Sequence, residues 1–216
     1  MIPNIDTGEE ARDILRKSNR PLIWGRDMHQ PLRELVQDVT RVINRSSDEE
    51  TIVAAVKSSM RKLVAENGWL PEEFTRCTGP SYSQHLLYCD PLERFSVVSF
   101  VWRPQQCTPV HDHTVWGVIG QLVGEEVSQS YDRLPSGKIV AHGPPEVLRK
   151  GEVTTVSPSE IDIHVVQNAS RDETAISIDT YGANIGRVHR NTYDLATGKR
   201  TMFVSSYSNS VLPNIW

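Results

Sequence analysis

The stretch Cys107-Thr-Pro-Val-His111-Asp112-His113-Thr-Val-Trp116-Gly117-Val-Ile-Gly120-Gln-Leu-Val-Gly124-Glu125 decides the fold. It reads as strand, turn, strand. Val115, Val118, Ile119, Leu122 and Val123 are β-formers, and Gly117, Gly120 and Gly124 permit tight or close-packed backbone. His111 and His113 are two apart. On a strand that spacing places both imidazoles on one face and Asp112 on the other. Two neutral imidazoles on one face are half of a divalent metal site. Taken alone, the pair reads equally well as two surface histidines, since histidine is common at half-exposed positions.

Working outward, the helical signals lie upstream and the strand signals downstream. Glu9 to Lys17 is expected to form a short helix, and Pro21–Trp24 a short apolar packing segment. From Pro31, Leu32, Leu35, Val36, Val39, Val42 and Ile43 keep three-four spacing, which predicts an amphipathic helix to about Asn44. Ser47 with Glu50 reads as a capping box opening a second helix through Ile52, Val56, Met60 and Val64, stopped at Gly68. Pro71-Glu72-Glu73 reads as the first turn of a short third helix. Beyond Pro80 the period changes. Strands are expected at 81–89, 95–102, 127–131, 138–141, 146–150, 153–156, 164–168 and 174–181, and a hairpin at 192–204 turning at Ala196–Lys199. Many short strands predict a sandwich or small barrel. The expectation is a single domain over residues 1–216, with a helical cap at 1–80 and a β-barrel at 81–216. The cap is expected to close the barrel's open end and support Gln84.

Composition excludes several classes. The 216 residues are 38% hydrophobic and 23% charged, as in an ordinary globular protein. The net charge of −4 presents no basic surface for nucleic acid or an anionic membrane. No apolar run approaches the ~20 residues that span a bilayer. The N-terminus is acidic and polar, unlike a signal peptide. Cys77, Cys89 and Cys107 are odd in number and show no metal or disulfide spacing, so a reducing, cytoplasmic setting is expected. Cys89 and Cys107 read as packing residues in strands.

A third histidine lies in Gly151-Glu-Val-Thr-Thr-Val-Ser-Pro158-Ser-Glu-Ile-Asp-Ile-His164-Val-Val-Gln-Asn168. The two stretches resemble the paired signatures of a cupin, a double-stranded β-helix (jelly-roll) barrel. The first resembles G-x5-H-x-H, with Cys107 and its neighbours where a glycine would begin it. The second resembles G-x5-P-x-G-x2-H-x3-N: Gly151, His164 and Asn168 fit, and Pro158 lies one residue too far from the histidine. A barrel would bring His111, His113 and His164 to face one interior point. Most cupins add a glutamate ligand just after the histidine pair. Here that region is Trp116-Gly117, and Glu125 and Glu126 are expected at a strand end, in water. Three imidazoles without a protein anion leave a metal its full charge and open positions, which suits an anionic substrate. Zinc and nickel fit three histidines as iron does.

The segment from Ser81 through Trp102 to His111-Asp-His113-Thr-Val-Trp-Gly resembles the bacterial cysteine dioxygenase-like thiol dioxygenases, and most of all their 3-mercaptopropionate dioxygenase branch. The resemblance runs from about Tyr82 to Tyr193. It implies one Fe(II) per chain, held by His111, His113 and His164. It implies a small thiol and O2 as the partners, with both oxygen atoms passing to sulfur to give a sulfinic acid of 3-mercaptopropionate or L-cysteine. Gln84 falls where cysteine-specific members carry an arginine. Arg190 matches a carboxylate-pairing arginine of the branch. An acid substrate in a low-dielectric barrel needs such a cation, although a solvated loop charge is an equal reading. The family's Ser-x-His-x-Tyr row, which orders substrate and O2, corresponds to Ser177-Ile-Asp179-Thr-Tyr181, all three expected inward on one strand. Aspartate replaces the histidine, and it can still accept from both hydroxyls. His29, His85, His142 and His189 have no ligand spacing and are assigned to surface or packing, with His189 a candidate site neighbour. A cupin isomerase or decarboxylase using zinc or manganese, and a non-catalytic ligand-binding cupin, are the other classes this pattern admits.

Overall fold

The computed structural model describes residues 29–160 and 162–216. The expected Glu9–Lys17 helix and Pro21–Trp24 segment lie outside them. Two helices come first, α1 (Gln30–Arg45) and α2 (Glu49–Ala65). Leu32, Leu35, Val36 and Val39 form the buried stripe of α1, and Ile52, Val56, Met60, Leu63 and Val64 that of α2. The cap of α2 is Asp48 rather than Ser47. Its carboxylate accepts from the Thr51 N–H, satisfying one of the orphan donors of the first turn. The third helical signal is one 3-10 turn, Glu72–Thr75, which buries Phe74.

Ten strands come next: β1 (Ser83–Cys89), β2 (Ser96–Trp102), β3 (Gly117–Val123), β4 (Glu125–Arg133), β5 (Ile139–Arg149), β6 (Val153–Val156), β7 (Ile163–Gln167), β8 (Ala175–Tyr181), β9 (Arg190–Tyr193) and β10 (Arg200–Phe203). One sheet has the order β1-β2-β8-β3-β6, a second β5-β4-β7, and β9 pairs with β10. Single bridges tie the last two together. Cys107 bridges Gln167, and His111 bridges both His164 and Thr192. All pairings are antiparallel, and the pairs β2–β8, β3–β8, β3–β6 and β4–β7 join strands that are not consecutive in sequence, which is the crossed strand order of a double-stranded β-helix.

Two strand expectations are corrected. The strands expected at 138–141 and 146–150 are one strand, β5, whose pairing with β4 shifts register near Ser128 and Ser130. Gly143 takes a positive φ beside Pro144 and Pro145, so the chain bends there without leaving the sheet. The first histidine segment is not a regular strand either. Pro109 removes a ladder donor, Thr114 sits at φ 59°, and regular pairing begins again only at Gly117.

The larger sheet is buried on both faces, so all seven residues of β2 and of β8 are buried. Val97, Val101, Val118, Leu122, Ile176 and Ile178 point out and form one core with the stripes of α1 and α2. Val98, Phe100, Trp102 and Tyr181 point in. The helices therefore cover the sheet's outer face and not the barrel's open end, because the outward row is the apolar one that needs covering. The C-terminal segment, rather than the helices, lines the cavity, through Phe203, Ser205, Ser206, Tyr207 and Ser208. Ser208 exchanges hydrogen bonds with the Gln84 backbone, and Asn209 does so with Leu86. Among the described residues no helix is long and apolar enough to cross a membrane.

The contact between helix and sheet depends on Gly120. A Cβ there would stand 2.7 Å from Met60 Cγ and 2.8 Å from Val64 Cγ1. Gly120→Ala should lower the stability to chemical denaturation by about 1–3 kcal/mol, the usual cost of overpacking. Shortening the opposing side chain with Met60→Ala in the same chain should recover part of that loss, measured as non-additivity in a double-mutant cycle.

Candidate metal centre and its cavity

His111, His113 and His164 are buried, and each pair of ring centroids is 4.9 Å apart. One ring nitrogen of each lies within 4.8 Å of the others. The convergence has local causes. His111 is held by paired backbone hydrogen bonds with His164, each N–H donating to the other's carbonyl at 2.9 Å. Asp112 turns away, as the two-residue spacing predicts, and accepts from Asn191 N–H, Asn191 Nδ2 and the Tyr193 hydroxyl. That clamp delivers His113 back to the side of His111.

Each imidazole has its Nδ1 in a hydrogen bond: His111 with the Pro109 carbonyl at 3.0 Å, His113 with Asp162 Oδ1 at 3.0 Å, and His164 with Ser128 Oγ at 3.1 Å. Nε2 is thus the nitrogen left to coordinate. His164 Nε2 is buried and has no partner, which is the condition of a ligand atom. Burial, reinforced by the neighbouring imidazoles, pushes His111 down to about 3 and His164 well below its ordinary value, so both are neutral donors. Three imidazoles fit a divalent transition metal, and among the described residues no carboxylate belongs to the cluster.

Asp162 is a site residue that motif reading missed. Besides His113 Nδ1 it accepts from the backbone N–H groups of His113 and Thr114. Burial works to raise its carboxyl, but these bonds hold it below the usual carboxylate range. The available signal was a carboxylate two residues before His164.

Tyr181 stacks on His113, with centroids 5.4 Å apart and planes 16° apart. Its hydroxyl donates to Asp179 Oδ2 at 2.8 Å. The register of β3 against β8 sets Gly117 opposite Tyr181, Ile119 opposite Asp179 and Gln121 opposite Ser177. A Cβ at Gly117 would lie 2.9 Å from the Tyr181 ring. The tyrosine occupies the space in which a side chain at 117 would stand, which is why no carboxylate can succeed the histidine pair there.

These groups line a cavity of about 450 Å³. Gln84, the three histidines, Asp179, Tyr181 and Arg190 all face it. Ser177 is buried behind them, and its hydroxyl acts on Asp179. Arg190 is 3% exposed, so the solvated-loop reading is set aside. Nη2 donates to Ser205 Oγ, the guanidinium carbon lies 4.8 Å over the Phe203 ring, and Nε has no partner. Gln84 Nε2 is likewise buried and unpartnered. Burial lowers the Arg190 pKa from its ordinary value, with Tyr181 and Tyr82 acting the other way.

Three expectations fail here. Glu126 is not in water: it is buried, faces the cavity, and burial pushes its carboxyl up to about 8, while Glu125 is exposed as expected. His189 is exposed and does not line the cavity. Cys107 is exposed rather than packed. His85 packs against Phe74 and bonds the Arg76 carbonyl, and His142 sits at the surface beside Asp132, as expected of histidines without ligand spacing.

No protein-family model matches the chain. Among solved structures it is similar to an uncharacterized conserved protein with a double-stranded β-helix domain from Klebsiella pneumoniae, at 12% identity over 63% of this chain and 96% of that one, with a TM-score of 0.43. It is similar to an RmlC-like cupin from Desulfovibrio desulfuricans, at 22% identity over 54% of this chain and 95% of that one, TM-score 0.37. It is also similar to an oxalate oxidase in complex with glycolate, at 18% identity over 55% of this chain and 63% of that one, TM-score 0.40.

The geometry carries two testable outcomes. Asp162→Asn should weaken metal binding by about 10–100-fold, as loss of an orienting partner does, read by competition with a chromophoric chelator. Glu126 has its folded pKa raised from an ordinary 4.5 to about 8. Its stabilising contribution is therefore whole below about 4.5 and is lost as pH rises through about 8. Glu126→Gln removes that loss. The variant should gain on the wild type by up to about 1.4 kcal/mol per pH unit across this window in denaturation measured from pH 5 to 8.

Proposed function

We propose that this chain is a non-haem Fe(II) thiol dioxygenase that oxidises a small thiol acid, 3-mercaptopropionate or L-cysteine, to its sulfinic acid. The observation that carries the reading is the pairing of an anionless three-histidine cluster with a buried Arg190 whose Nε, like Gln84 Nε2, has no partner in the same cavity. Such a cavity takes an anion with two anchoring points. One is the metal, for the thiolate. The other is the Arg190 fork with Gln84, for the carboxylate. His111, His113 and His164 would hold Fe(II), which would supply the redox chemistry for O2 to react with the sulfur. Sulfur is oxidised and both oxygen atoms of O2 join it, so the substrate itself supplies the electrons and no external reductant is needed.

The chain's own residues do the rest. Arg190 neutralises the carboxylate, and its contact with Ser205 and Phe203 fixes the fork toward the cavity. Tyr181 is kept protonated, since burial and then the Asp179 charge push its pKa well above the ordinary value. Its proton is directed at Asp179, which leaves the phenol oxygen as an acceptor facing the substrate. Ser177 works against burial at Asp179, favouring its ionised form. A reducing cytoplasmic setting belongs to this reading and accords with three free cysteines.

One observation favours a second reading. Asp179 and Glu126 are cavity carboxyls raised to about 7 and about 8, the property of a general base. A zinc- or manganese-dependent isomerase or decarboxylase would use them.

Oxygen uptake by Fe(II)-loaded protein, run in parallel with 3-mercaptopropionate, L-cysteine, cysteamine and mercaptosuccinate, decides between the two. Uptake matched one-to-one by sulfinic acid is expected with a thiol acid. Arg190→Ala should raise KM for it by about 10-fold or more, the loss of one charged anchor. No uptake in iron-loaded protein, with turnover appearing only on zinc or manganese, sinks the dioxygenase.

A further inference from the structure

Four strands each send one polar side chain to the same part of the barrel interior. Trp102 comes from β2, Gln121 from β3, Glu126 from β4 and Asp179 from β8. They are 3%, 0%, 4% and 5% exposed, so bulk water does not reach them. Strand register explains part of the meeting. Ser177 stands opposite Phe100 of β2 on one side and Gln121 of β3 on the other, with Asp179 two residues further along. The Glu126 carboxyl is acted on by Asp179, Ser177, Trp102 and Gln121, which gathers all of them around it.

Each of the four has one polar atom without a partner: Trp102 Nε1, Gln121 Oε1, Glu126 Oε1 and Asp179 Oδ1. The remaining atoms of two of them are committed. Gln121 Nε2 donates to the Val123 carbonyl at 2.9 Å, and Asp179 Oδ2 accepts from the Tyr181 hydroxyl at 2.8 Å. Buried polar atoms that do not meet one another directly are joined by a group of matching polarity. Here that group must accept as well as donate, because the indole N–H is a donor only and the amide and carboxylate oxygens are acceptors. A metal ion or an ammonium accepts from nothing, so neither fits beside Trp102 Nε1. Trp102, Glu126 and Asp179 line the cavity and Gln121 does not, so the joining group lies in the wall rather than in the space a substrate takes. A single water has the size and the bonding capacity.

The proton count follows from the same atoms. Two neighbouring buried carboxyls with no cation acting on either do not both ionise. Asp179 receives the Tyr181 hydroxyl, which favours its anion, while the Asp179 charge disfavours the anion of Glu126. The proton therefore belongs to Glu126.

We propose that Trp102, Gln121, Glu126 and Asp179 enclose a bound water, and that Glu126 is a protonated positioning residue acting through this water on Asp179 and Tyr181. The water accepts from the Trp102 N–H and the Glu126 O–H and donates to Gln121 Oε1 and Asp179 Oδ1. All four atoms are then satisfied, and the water makes four bonds. Asp179 is held at both oxygens, by the water at Oδ1 and by Tyr181 at Oδ2, so its plane is fixed and the Tyr181 hydroxyl keeps one direction. None of this depends on which metal or substrate the cavity takes.

Crystal structures at high resolution and infrared spectra of the full chain test the proposal without turnover. The wild type should show a water within hydrogen-bond distance of the four atoms. Glu126→Gln should keep it, since its amide N–H replaces the carboxyl O–H, and Glu126→Leu, which fills the space without a donor, should lose it. In mildly acid solution the carbonyl band of a buried carboxylic acid should be present in the wild type and in Asp179→Asn and absent from Glu126→Gln. The phenol band of Tyr181, identified as the tyrosine band that Tyr181→Phe removes, should stay in place in Glu126→Gln and shift in Glu126→Leu. A residue that only fills space would move it in neither. The proposal is overturned by wild-type crystals with no water at the four atoms, by an acid band that persists in Glu126→Gln, or by a tyrosine band that does not move in Glu126→Leu. If Glu126→Leu does not fold, the wild-type density and the acid band still decide.

Discussion

Everything at the centre of this protein depends on the Nδ1 hydrogen bonds of three histidines. Pro109, Asp162 and Ser128 each take one, and each comes from a different part of the chain. An imidazole free to rotate offers either nitrogen, while one bonded at Nδ1 offers only Nε2, in a fixed direction. The three partners thereby convert a cluster of rings into a set of donors with one common point. The backbone pairing of His111 with His164 supplies the distance, and the Asp112 clamp supplies the return of His113. The barrel is the frame that brings these contacts together.

The charges around that point are unevenly spread. Asp162 is held ionised by His113 and two backbone N–H groups. Asp179 and Glu126 have only neutral side-chain donors, and burial outweighs these and drives both toward the neutral acid. Arg190 is buried in the wall of the same cavity, its Nε without a partner. Carboxyls of one barrel thus differ in protonation because their donors differ, the same separation of roles by environment that lets enzymes hold acids and bases side by side. Tyr181 links the histidine cluster to these carboxyls, stacking on His113 and donating to Asp179.

The helices and the cavity are coupled through one sheet. Outward residues of β2, β3 and β8 pack on α1 and α2, and inward residues of the same strands line the cavity. A shift of one residue in register would exchange the two sets. Gly120 outside and Gly117 inside mark how close the fit is, since a methyl group at either would collide with Met60 or Tyr181. A cap over the open end is the expectation from sequence because a helical segment preceding a barrel carries no mark of which surface it covers. The outward apolar row decides it.

By itself the sequence determined the features set by local spacing and side-chain chemistry. Three-four periodicity named both described helices, alternation and turn residues named most of the strands, and resemblance to known motifs singled out the three histidines that the fold brings together and the row Ser177, Asp179 and Tyr181. Tertiary structure alone decided the features that depend on contacts distant in sequence. Glu126 reads as a strand-end charge because Gly124 and Glu125 beside it are turn-like and polar, yet the fold turns its side chain into the barrel. Asp162 has no motif, and its role exists only once Thr114 turns and His113 arrives beside it. Arg190 could be read either way until the C-terminal segment, through Phe203 and Ser205, closed over it. Periodicity is a property of neighbours along the chain, whereas burial, and with it the charge state of a carboxyl or the freedom of a donor, is a property of neighbours in space.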